Sequence, residues 1–68
     1  MINTALLNIK IVNSGFKKKF IAKELKLTPY GLQKKINGDN EFKPTEITAL
    51  CEVLNITSPK EKVQIFLW

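Results

Sequence analysis

Apolar residues recur along this chain at helical spacing, in short blocks divided by polar stretches that carry glycine or proline. In INTALLNIKIVN, residues 2–13, Ile2, Ala5, Leu6, Ile9 and Val12 fall at helical spacing, and Ser14-Gly15 supplies a C-terminal stop. Phe16 and Ile21 are spaced to bracket a short second helix, residues 17 or 18 to 25, as a hydrophobic staple, with Ile21, Ala22 and Leu25 turned inward. Thr28 fits an N-cap and Pro29 the first helical position, where no N–H is needed, so a third helix runs from there to Asn37 on the apolar pair Leu32 and Ile36. NGDN follows as a turn, with Gly38 as a left-handed stop. Pro44 opens a fourth helix with Ile47, Leu50, Cys51 and Leu54 at i, i+3, i+4 and i+7, leaving Glu46 and Glu52 for its wetter side. In the tail, residues 58–68, Ser58-Pro59 can open a last helical turn, but Val63, Ile65 and Leu67 alternate with Gln64, Phe66 and Trp68, which equally permits a short strand. Both readings of the tail stay open.

These blocks predict an all-α chain of four to five helices, and 68 residues leave room for one small domain spanning 1–68. The apolar fraction, 44%, is ordinary for a globular chain, and the longest apolar runs are too short to cross a bilayer, so a cytoplasmic protein with no membrane partner is expected. A lone cysteine, Cys51, has no partner for an internal disulfide and shares a face with Leu50 and Leu54, which reads as core. Histidine is absent. Catalysis, a metal site, a cofactor and a small-molecule substrate are therefore not expected.

Charge changes the picture more than composition does. The formal balance is +5 with a pI near 9.6, which suits a polyanionic partner. Residues 17–35 hold seven lysines against one acid, Glu24, a local balance of +6, while the remaining chain carries four lysines and five acids. All the basic character is thus one patch. Every basic residue is a lysine, which meets phosphate as a point charge but lacks the planar fork of arginine. Lys17, Lys18 and Lys19 stand at a predicted helix start, where the helix dipole disfavours cations, so their placement favours an anion from outside over the alternative, a solvated cluster that aids solubility.

Ala22 on the second helix, Leu27 in the turn and Leu32 on the third form a helix-turn-helix pattern over residues 18–37: a small residue where helices cross, a turn plug and an anchor. With LKLTPYGLQKKINGDNEF, this pattern resembles the helix-turn-helix domain of the phage Cro and repressor (XRE-like) family, most closely its short phage-type members, over residues 4–56. Lys26 departs from it, standing where the family usually has glycine at a cost of about 1 kcal/mol, and Gly31 lowers the helix propensity of the third helix by about as much.

The resemblance implies a lambda-repressor-like fold, double-stranded DNA as partner and a phage- or prophage-encoded transcriptional regulator. Carried over residue by residue, it gives base readout to Pro29, Tyr30, Gln33 and Lys34, and phosphate contacts to Lys17, Lys18, Lys19, Thr28 and Asn37, with Lys35 and Lys43 as secondary phosphate candidates. The tail has two readings of its role: Val63, Ile65 and Leu67 cover the core of their own subunit, or the aromatic end serves a homodimer or another partner through Ile65, Phe66, Leu67 and Trp68, the second being expected because a core already served by Phe16, Phe20 and Phe42 has little room for Phe66 and Trp68. The alternative is a small modulator or antirepressor that acts by binding a repressor protein.

Overall fold

The computed structural model describes residues 2–66. Within them lie five α-helices: α1 (Thr4–Ser14), α2 (Lys18–Glu24), α3 (Pro29–Ile36), α4 (Pro44–Leu54) and α5 (Pro59–Phe66). No helix among the described residues is long and apolar enough to cross a membrane.

Local chemistry fixes most helix ends. Asn3 caps α1, its side-chain oxygen accepting from the Leu6 N–H at 3.1 Å, and Thr28 caps α3 by accepting from the Gly31 N–H at 3.0 Å. Pro29 and Pro44 each occupy the first turn, where their missing N–H costs nothing. Three helices end in the same closed turn, in which a left-handed residue lets two N–H groups cap the last free carbonyls. After α3 that residue is Gly38, with the Asp39 N–H donating to the Lys34 carbonyl at 2.9 Å, and after α4 it is Asn55, with Ile56 donating to Cys51 at 2.8 Å. After α2 it is Lys26, at φ 59°, with Leu27 donating to the Ala22 carbonyl at 2.8 Å and Lys26 to that of Lys23 at 3.1 Å. Lys26 therefore takes the left-handed conformation itself.

The core is built from Leu7, Ile21, Leu32, Ile36, Leu50 and Ile65, all fully buried, with Ala22 beneath the approach of α2 to its neighbours and Leu27 packed at the edge. α2 packs on α3 and α4, and α1 lies against α3, α4 and α5. Two polar contacts set the rotation of α1: Thr4 donates its hydroxyl to the free Ile36 carbonyl at the end of α3, 2.8 Å, and Lys10 pairs with Glu61 of α5. The result turns Leu7 and Ile11 inward and leaves Ala5, Ile9 and Val12 exposed, which corrects the expected core face of the first helix. α1 is apolar nearly all round, so spacing alone did not select the buried row.

Other expectations shift with the packing. Phe16 stacks on Phe20, ring centroids 4.9 Å apart, and both stay about half exposed, so neither fills the core as expected. That leaves space for Phe66, which meets Phe42 edge-on at 6.0 Å. The tail is helical up to Phe66, and Ile65 and Phe66 are buried within their own chain, which removes both from a free partner surface; Leu67 and Trp68 lie outside the described residues. Val63, read as a core-facing position, is exposed. Glu46, assigned to the wet side of the fourth helix, is buried.

Candidate nucleic-acid interface

Leu32 and Ile36 pin α3 to the core, and the opposite arc of the helix carries Tyr30, Gln33, Lys34 and, one residue past its end, Asn37, at i, i+3, i+4 and i+7. Tyr30 is 73% exposed, and the Lys34 ammonium sits 5.5 Å from its ring centroid, a cation–π distance. Pro29 is exposed at the start of the same helix.

The beginning of α2 reaches this arc. Lys18 donates its ammonium to Gln33 Oε1 at 2.8 Å, and Gln33 Nε2 donates to Asn37 Oδ1 at 2.9 Å. An ammonium has only donors, so the atom it meets must be the amide oxygen. Gln33 is thereby held with its nitrogen toward Asn37, and Asn37 with its oxygen toward Gln33. Each Gln33 amide atom keeps one unused hydrogen-bonding site, an acceptor on the oxygen and a donor on the nitrogen. Lys17 and Lys19 flank Lys18 at the exposed, uncapped start of α2, and none of the three is ion-paired with a carboxylate among the described residues.

Not every expected cation is free. Lys35, expected at a phosphate, points to the other side of α3 and forms an ion pair with Glu46, both side chains about nine-tenths buried, so it is corrected from a ligand contact to a structural one. Glu46 stands at the third position of α4, where it also accepts from the Lys43 N–H at 2.8 Å. Burial is the largest influence on the Glu46 carboxyl and pushes its pKa up, but the Lys35 hydrogen bond, the Lys43 N–H and the two positive charges together hold it below the ordinary value. The Lys43 side chain is exposed at the α4 N-cap. Thr28 is occupied on its acceptor side by Gly31, leaving its hydroxyl proton to donate.

Gly31, whose helix propensity is low, stands in the first turn of α3. A Cβ there would meet only the Thr28 hydroxyl, at 3.1 Å, so the glycine gives room to the cap of its own helix. The sequence reading missed the Lys35–Glu46 pair; the K-P-T-E start of the fourth helix, with Glu at the third position of a capping arrangement, signals only the Glu46 bond to the Lys43 N–H. Cys51 is buried as expected, and that burial raises its thiol pKa despite the nearby Lys62 charge. No family model matches the chain, and neither a curated protein nor a solved structure shows significant similarity to it.

Proposed function

We propose that this chain is a helix-turn-helix regulator that binds specific double-stranded DNA, with α3 in the major groove and the start of α2 on the phosphate backbone. The observation that carries the reading is the Lys18–Gln33–Asn37 relay, which joins the lysine cluster to the outward arc of α3. A side-chain amide held in one orientation, with a donor and an acceptor both free, is what bidentate pairing to adenine N7 and N6 requires. Lys34 and Tyr30 stand beside it to donate to a guanine edge and to touch a thymine methyl. Lys17 and Lys19 neutralise phosphates and set the register, a role for which a cation without a planar fork is well suited. The +6 balance of residues 17–35 against a slightly acidic remainder favours a polyanion meeting this face.

Repression by occupying a promoter is the simplest outcome for a chain of this kind. The test is selection of binding sites from random duplex DNA at near-physiological salt. Enrichment of a short motif containing adenine at a fixed position is the expected result. Binding that vanishes with salt and enriches no sequence would reduce the interface to a general polyanion surface and direct attention to a protein partner instead.

A further inference from the structure

With Phe66 in the core, the aromatic side chains left outside are Phe16 and Phe20, stacked on each other and 45% and 43% exposed. They lie at i and i+4, and Lys19 and Lys23 stand three residues beyond each, at the same spacing. An apolar row and a basic row therefore run side by side along the outer side of α2, while Ile21, Ala22 and Leu25 hold its inner side in the core. Lys17, Lys19 and Lys23 are all exposed, and none is ion-paired with a carboxylate among the described residues. Glu24 is the one acid nearby, closing the aromatic row four residues past Phe20.

The two rows together restrict what can cover them. A second copy would bring lysine against lysine. Duplex DNA answers the lysines, but it presents phosphate and sugar with its bases stacked inside, and so gives the rings little apolar surface. A single strand offers bases to stack, yet each ring already turns one face to the other, with 4.9 Å between centroids. An acidic amphipathic helix answers both rows at once, with carboxylates at i and i+4 beside aliphatic side chains at the same spacing. We propose that the outer side of α2 docks an acidic amphipathic helix of another protein, aliphatic side chains on Phe16 and Phe20 and carboxylates against Lys19 and Lys23. Glu24 repels carboxylates at the far end of the ridge and directs the partner's acids toward the start of α2. Lys17 and Lys19 are also phosphate contacts of the DNA reading, so on that reading the docked helix and DNA exclude each other, and the partner takes the chain off its site.

The probe is a synthetic helical peptide with a row of leucines beside a row of glutamates. One control peptide carries glutamine for each glutamate, the other alanine for each leucine. Fluorescence anisotropy of the labelled peptide against the whole chain, at near-physiological salt, should show saturable binding. It should weaken at least about tenfold in either control, in the Phe16→Ala, Phe20→Ala variant and in the Lys19→Gln, Lys23→Gln variant. Circular dichroism checks the helices of both variants, and the two control peptides keep the test decisive should the phenylalanine variant not fold. No binding at about millimolar peptide, or undiminished binding by the phenylalanine variant or the alanine peptide, overturns the proposal. Oligothymidylate that binds more tightly than the peptide through the same two rings overturns it as well, making them a base-stacking platform. Site selection on duplex DNA keeps the two readings apart. The phenylalanine variant should enrich the same motif as wild type, and that motif should displace the peptide. A chain that binds the peptide and enriches no motif removes the DNA reading alone, and motif and peptide bound together overturn the exclusion.

Discussion

Lys26 shows how a single residue can work against its own backbone. It sits at φ 59°, the conformation that favours glycine, and it closes the end of α2 all the same. Lys26→Gly should raise stability by about 0.5 to 1 kcal/mol, the left-handed penalty less the extra freedom of glycine in the unfolded chain. A urea titration checks this; an unchanged midpoint would mean that the penalty at this site is already compensated. A lysine retained at such a position has its charge to offer, and on the proposed reading the variant gains stability while losing affinity for DNA. Lys18 and Gln33 make a sharper pair. Gln33→Ala should relax sequence preference at one base position with a cost of about 1 to 3 kcal/mol against the preferred base. Lys18→Ala should weaken binding to every sequence, lower the salt slope by about one ion and also blunt the preference at the Gln33 position, because it holds the amide in place. Competition binding at several salt concentrations distinguishes these; equal effects on all sequences from both variants would remove the relay from base recognition.

At the scale of elements, α3 is fixed from two sides: by Leu32 and Ile36 in the core and by the Lys35–Glu46 pair on α4. Glu46→Ala leaves a mostly buried ammonium without its partner and should destabilise the fold by roughly 3 kcal/mol, a large share of what a domain of this size has. The pair also sets a pH response. The Glu46 carboxyl titrates lower in the folded chain than its ordinary value, so its contribution is fully present above the unfolded carboxylate pKa of about 4.3 and is lost as pH falls through the folded value. Urea midpoints measured on acidification should fall less in Glu46→Gln than in wild type; parallel curves would assign the acid sensitivity to other carboxylates. This pair was hidden from the sequence because it joins residues 11 apart through a turn, whereas a lone glutamate reads as surface. The helix boundaries were legible where punctuation is local, as at Thr28-Pro29, Gly38 and Pro44. The row of α1 that faces the core was not, since only Thr4 and Lys10, through partners far along the chain, decide it. In the tail, alternation competed with a proline-led helix, and the adjacent residues Ile65 and Phe66 are both buried, which a strand would have sent to opposite faces. Of the candidate site, the lysine cluster was readable as composition; the Lys18–Gln33 bond, 15 residues apart, was not.

For the whole molecule, the placement of the lysine cluster gives the chain two different exteriors. The basic start of α2 and the arc of α3 form one, and the uncharged outer row of α1 forms the other. A third feature lies where the first and last helices meet. The Asn3 N–H donates to the Ile65 carbonyl at 2.7 Å, so the backbone at the front of the fold touches the backbone at its back. The described chain is in effect a ring left open at one seam. A circular permutant that bridges this seam with a short flexible linker and begins instead in the exposed Gly38–Asn40 turn should fold to the same helical content, and its thermal midpoint should reveal how much of the fold depends on the order in which its helices are strung.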